Sequence, residues 1–288
     1  MTAVPRTRLN SWLIGVGLVV PGVLLLAFVI GIPLVLTIRA TLGTGTGPTV
    51  SGFTGHNYAE FFTSSIYLQT LENTAIVAAL AAFISLVFGY PLALYMAFGR
   101  DRMRRYIALA LISPLVVSGV VRADGMTFLY SPGNPIDRFL SLFPGNPSLN
   151  LLNTQTGVVL GLAYYGMPFI VITLASSLSS IDQRTLFAAR SLGAGTFTVI
   201  RRVVLPLSIQ GIVAGLLLVF SMATTSLVLP LLLGGANFHM VLVQMYQQIF
   251  LLLNWAFGFT MGIVLLVFSA IAFYIAGKLG GHGPAGVS

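Results

Sequence analysis

Along this chain the polar positions bunch into short clusters and leave long apolar intervals between them. No Asp, Glu, Lys or Arg occurs from Trp12 to Ile38 or from Asn73 to Gly99. Each interval exceeds the ~20 residues that an α-helix needs to cross the hydrocarbon core of a bilayer, so both read as membrane spans. Further apolar stretches cover about Tyr106–Tyr130, Thr154–Leu178, Leu207–Leu233 and Trp255–Gly277, with polar, Gly-rich or Pro-rich breaks between them. The pattern predicts an all-α, polytopic membrane protein with six transmembrane helices. The third stretch is the irregular one: Arg122 and Asp124 leave only Tyr106–Val121 free of charge, which predicts an outer end that is tilted, broken or water-lined.

Composition sharpens this picture. The chain is 57% hydrophobic and 7% charged, against roughly 45–50% and 25% in soluble domains. Arg6 and Arg8 precede the first span as they would a signal peptide, but that apolar run outlasts the roughly 7–15 residues of a signal core and no small-residue cleavage site follows, so the span is expected to be retained. With six spans both termini share a side. That side holds Arg6, Arg8, Arg100, Arg102, Arg104, Arg105, Arg184, Arg190, Arg201, Arg202 and Lys278, which is eleven of the 14 basic residues; Arg39, Arg122 and Arg138 fall opposite. The asymmetry places both termini in the cytoplasm. It also explains the net charge of +8 as topology rather than as a nucleic-acid surface, so no nucleic-acid partner is expected.

Several function classes lack their hardware. The single lysine, Lys278, is followed by Leu279 and has Ala272 where a phosphate loop needs its first glycine, so the chain does not bind ATP by that device. Ion-coupled carriers keep ionisable groups at mid-membrane depth, whereas Glu72, Arg122 and Asp124 lie toward the outer ends of their spans. His56 and His239 fall in outer loops and His282 in a Gly-rich tail, which gives no nucleophile and base pair. There is no cysteine.

Between the fourth and fifth spans, "LFAARSLGAGTFTVIRRVVLP" (Leu186–Pro206) reads as two short helices. Leu186–Leu192 holds good helix formers and Gly193 supplies a permissive backbone that ends the helix. Thr196 can cap a second helix over Phe197–Val204, on which Phe197, Ile200 and Val204 share a face, and Pro206 marks the start of the fifth span. On pattern alone the loop is either a functional docking element or an amphipathic connector lying on the membrane surface.

Phe187-Ala188-Ala189, Gly193 and Val203-Val204-Leu205-Pro206 resemble, with matching spacing, the EAA loop of the permease subunits of binding-protein-dependent ABC importers: EAA, three residues, G, nine residues, I-x-L-P. One position departs, Phe187 standing where the family usually has glutamate. "NYAEFFTSSIYLQTLENTAIVAALAAFISLVFGYPLALYMA" (57–97) is similar to the start of the permease core. "SPLVVSGVVRADGMTFLY" (113–130), "YYGMPFIVITLASSLSSID" (164–182) and "TTSLVLPLLLGG" (224–235) resemble the polyamine-type (spermidine/putrescine) branch. The likeness runs from about Asn57 to Gly277.

This resemblance implies a type I ABC importer permease fold. It divides the chain into an N-terminal tail, first helix and outer loop (1–56), a five-helix core with its coupling loop at 181–206 (57–277), and a cytoplasmic tail (278–288). It implies that Ile181–Leu192 is a coupling helix docking into a separate ATPase, and that Phe187, Ala188, Ala189, Gly193, Leu205 and Pro206 carry the coupling. It further implies a subunit of the bacterial cytoplasmic (inner) membrane, working with a second and different permease half, two ATP-binding subunits and a periplasmic or extracellular substrate-binding protein. ATP and Mg would be bound by those partners, with no cofactor and no enzyme activity in this chain. The solute would be a polyamine or similar small compound moved by alternating access; a passive channel or ion-coupled carrier is the alternative. Candidate pathway residues are Tyr164, Tyr165, Ser221, Thr224, Thr225, Arg122 and Asp124, with Asp124 also a candidate salt-bridge partner of Arg122. The GxxxG pairs Gly157/Gly161, Gly211/Gly215 and Gly258/Gly262 predict close helix packing.

Overall fold

The computed structural model describes residues 19–43, 52–134, 151–235 and 238–280. Arg6, Arg8, Arg138 and His282 lie outside them. The described residues form helices only: α1 Val19–Thr41, α2 His56–Thr63, α3 Ser65–Phe98, α4 Asp101–Val116, α5 Gly119–Tyr130, α6 Gln155–Ser179, α7 Gln183–Ser191, α8 Thr196–Leu207, α9 Ile209–Thr224, α10 Val228–Leu233, α11 Val241–Leu251 and α12 Trp255–Gly280.

Four helices (α1, α3, α6 and α12) are long and apolar enough to span a membrane singly, and two bent pairs complete six: α4 with α5 at 102° and α8 with α9 at 67°. The break expected near Arg122 is the first of these bends. Pro114 lies in the last turn of α4, and Val117 and Ser118 are extended. The Arg122 guanidinium donates to the Val117 carbonyl at 3.1 Å, satisfying an acceptor that the broken helix leaves free.

The centre of the bundle is α3 packed on α6, with α9 closing the third side. The buried stripe of α3 is Thr70, Thr74, Val77, Ala78, Ala81, Ala82, Ser85, Gly89 and Ala93, at three- and four-residue spacing. These small residues let the α6 backbone approach, and the Ser85 hydroxyl donates across to the Ala163 carbonyl at 2.8 Å. Larger side chains of α6, including Leu162, Ile170, Leu174 and Leu178, fill the space. The GxxxG glycines are used inside the subunit. A Cβ on Gly161 would come within 2.8 Å of Leu233, and one on Gly215 within 2.9 Å of Ile170.

Two features depart from the sequence reading. The stretch expected as one span over Leu207–Leu233 is interrupted at Thr225–Leu227, where α9 gives way to the short α10. A further short helix, α11, follows; its Val241 amide donates to the Thr74 hydroxyl at 2.9 Å and ties it to α3. At the same end Phe61, Phe257 and Met261 form a separate small core that joins α2 to α12.

Candidate functional site

The loop after α6 folds as two helices on local rules. Asp182 caps α7, its carboxylate accepting from the Arg184 amide at 2.8 Å. At the other end the Gly193 amide donates to the Arg190 carbonyl at 2.9 Å and the Ala194 amide to the Ala189 carbonyl at 3.2 Å. With Gly193 at φ +84° this is a Schellman motif, which needs the left-handed backbone at that residue. Leu186 and Ala189 pack inward with Val199, Val204, Leu174 and Leu178. Phe187 and Ala188 face out, Phe187 being 60% exposed. α7 is therefore anchored by one face and presents the other.

α8 corrects two expectations. Its N-cap is Gly195, with Thr196 already inside the helix and no side-chain cap bond. Phe197 is 75% exposed, whereas Val199 and Val204 are buried. A π-helical turn over Ile200–Val204 lengthens the repeat, so that residues five apart, Val199 and Val204, share the inward face in place of Phe197, Ile200 and Val204. Leu205 and Pro206 lead into the 67° bend. At that bend Ser208 is buried, and its hydroxyl shares a 3.1 Å hydrogen bond with Tyr90 of α3. Nothing in the sequence pattern marks Tyr90 and Ser208 as a pair; the only local signals are Gly89-Tyr90-Pro91 and the nearby Leu205-Pro206. Between the end of α3 and this loop lies an apolar pocket of about 510 Å³, bordered by Pro91, Phe98, Leu186, Phe187 and Val204.

Of the candidate pathway residues, the structure brings together Arg122, Tyr165 and Thr225. They line a pocket of about 370 Å³ between the start of α5, α6 and the break after α9, with Gly119 and Ser226 also on its wall. The Arg122 guanidinium lies 4.8 Å from the Tyr165 ring centroid. Thr224 is fully buried, and Thr224 and Thr225 both donate to the Ser221 carbonyl, at 2.9 and 2.8 Å. Tyr164 is 41% exposed and does not line the pocket. Asp124 is exposed and does not pair with Arg122, whose Nε and Nη1 have no acceptor among the described residues. Two residues apart on a helix, the two side chains point to nearly opposite sides. Among the described residues there is no cluster of His, Cys, Asp or Glu that could hold a metal ion.

Comparison with known proteins places this architecture. Residues 85–280 match the family described as binding-protein-dependent transport system inner membrane component. The chain is 32% identical over 260 residues to a spermidine/putrescine transport system permease protein of Haemophilus influenzae, covering 88% of this chain and 91% of that one. Against a probable molybdenum ABC transporter permease protein of Haloferax volcanii it is 30% identical over 224 residues, 76% and 73% of the two chains. Among solved structures, a chain of a bacterial ABC transporter involved in alginate import superposes with a TM-score of 0.77 at 15% identity, over 96% of this chain and 97% of that one. A chain of the inward-facing MetNI methionine ABC transporter gives 0.58 at 16%, over 76% and 96%.

Proposed function

Because this chain belongs to the binding-protein-dependent transport system inner membrane components, and so is a multi-pass permease subunit of an ABC importer and not an enzyme, we propose that α7 is the element through which ATP hydrolysis on partner subunits moves the bundle. The supporting observation is the construction of α7. A cap at Asp182 and the left-handed turn at Gly193 fix its length, Leu186 and Ala189 bind one face to the ends of α6 and α8, and Phe187 and Ala188 remain outward. A force applied to the outward face is passed through Val204 and the Tyr90–Ser208 bond into α9 and α3.

In this reading residues 57–277 are the permease core, preceded by a tail, helix and outer loop (1–56) and followed by a cytoplasmic tail (278–288). Both termini are cytoplasmic. The core pairs with a second, different permease half, two ATPase subunits supply and bind ATP with Mg, and a substrate-binding protein delivers the solute from outside. The solute is a small compound of the amine type, as the names of the spermidine/putrescine relatives suggest. The coupling residues are Phe187, Ala188, Ala189, Gly193, Leu205 and Pro206. Affinity purification of this chain from its native membrane tests the reading: an ATPase subunit is expected to copurify and to hydrolyse ATP faster when solute-loaded binding protein is added. A chain that purifies without any ATPase would overturn it.

A further inference from the structure

The apolar pocket of about 510 Å³ between the end of α3 and the α7–α8 loop stands outside the candidate pathway, and its depth in the bilayer narrows what it can hold. Counted from Asn73, where the uncharged run of α3 begins, the ~20 residues that cross the hydrocarbon reach about Leu92. The α3 wall of the pocket is Pro91, Leu94, Tyr95 and Phe98, so the cavity straddles the boundary between hydrocarbon and headgroups. Tyr95 is exposed there, at the level where tyrosine anchors membrane helices. The pocket is apolar inside and basic at its mouth. Leu186, Val199 and Val204 are its buried lining, while the exposed Arg190 lies on its wall. Gly99, on the same wall, leads directly into the exposed Arg100 and Arg102. The two segments that border the mouth, 99–106 and 181–206, hold eight arginines against two acids, Asp101 and Asp182, and the Asp182 carboxylate is occupied by the Arg184 amide.

We propose that this pocket binds an anionic phospholipid of the adjoining leaflet, with the upper part of one acyl chain between α3 and α8 and the phosphate held by Arg190. An apolar cavity with a positive mouth at this depth is complementary to a hydrocarbon chain joined to a negative head. Arginine suits the phosphate because its planar fork makes two parallel hydrogen bonds, and basic pockets between membrane helices take acidic headgroups in this way. Bound there, the lipid fills the gap between α7 and the end of α3 and becomes part of what anchors α7. The site depends neither on the coupling role of α7 nor on which side of the membrane α7 faces.

Photo-crosslinking of the purified complex in nanodiscs tests this. Discs of phosphatidylcholine carry a small share of either phosphatidylglycerol or phosphatidylcholine bearing the same diazirine high on one acyl chain, and labelled residues are located by peptide mass spectrometry. Leu266, Val267 and Ile271 of α12 serve as an exposed apolar control. The expected result is labelling around Leu94, Phe98 and Val199 at least about fivefold stronger with the phosphatidylglycerol probe, the preference that one arginine at a membrane surface confers, and equal labelling of α12 by both. Arg190→Gln should bring the two probes to within about twofold of each other at the pocket. Leu94→Trp, which fills the cavity, should remove the label there and leave that of α12. Equal labelling of the wild-type pocket by both probes, a preference that Arg190→Gln leaves unchanged, or a labelled α12 beside an unlabelled pocket would each overturn the site. Label that appears only after the ATPase is stripped away would assign the cavity to an ATPase side chain and overturn it as well.

Discussion

Gly193 shows how much one residue can decide here. Its φ of +84° closes the Schellman turn after α7, yet a Cβ placed on it would meet nothing within 4 Å. The requirement is therefore conformational, not steric, and a non-glycine residue is strained by about 1–2 kcal/mol. Gly193→Val, being β-branched, should misdirect α7 while leaving the core formed by α3, α6 and α9 intact. The expected phenotype is normal membrane insertion with ATPase turnover no longer stimulated by loaded binding protein, measured on the purified complex. Wild-type stimulation would show that α7 is only a surface connector. This position was legible in sequence because glycine after a helix-forming run carries its own backbone signal. Arg122 is legible as an irregularity of its span and as a candidate pathway residue, but its surroundings are not. Its stacking on Tyr165 and its hydrogen bond to the Val117 carbonyl depend on a bend that brings α5 against α6, and sequence neighbours such as Asp124 say nothing about that.

Small residues govern the meeting of the helices, and not every glycine matters equally. Gly215 of α9 faces Ile170 of α6 so closely that an added Cβ would sit 2.9 Å from its Cγ1, whereas one on Gly262 of α12 would reach ordinary contact with the Met245 sulfur at 3.5 Å. Gly215→Ala should therefore cost about 1 kcal/mol or more through overpacking, and Gly262→Ala should be near neutral. Thermal unfolding of the detergent-solubilised complex distinguishes them: a lowered midpoint is expected for the first only, and equal midpoints would refute the packing argument. The spacing of these glycines and the existence of six apolar stretches could be read directly. The break near Arg122 is announced by its charges, but two other irregularities are not. The π-helical turn at Ile200–Val204 moves the buried face from Phe197 to Val199, and the break at Thr225–Leu227 interrupts an apolar run with no proline at the break. Hydropathy does not resolve either, because a break that lines a pocket keeps the same average apolarity as the helix it replaces.

For the molecule as a whole, the remaining question is which end faces the cytoplasm. The structure puts the ends of α3 and α6 beside α7 and α8, so Arg184, Arg190, Arg201 and Arg202 gather at one end of the bundle with Arg100 and Arg102 just beyond α3. Residues 52–55, just before α2, and the aromatic cluster of Phe61 and Phe257 lie at the other. Charge asymmetry favours the basic end inside. Because the chain has no cysteine, single cysteines can report on this without background. Phe53, Arg102 and Thr198 are all exposed, so a difference in their reactivity reflects membrane side and not burial. Phe53→Cys should react with a membrane-impermeant maleimide added to intact cells. Arg102→Cys and Thr198→Cys should react only after permeabilisation, which should bring all three to similar labelling. The reverse pattern would place α7 outside the cell, where no ATP-hydrolysing partner could reach it, and the coupling assignment would fall together with the orientation.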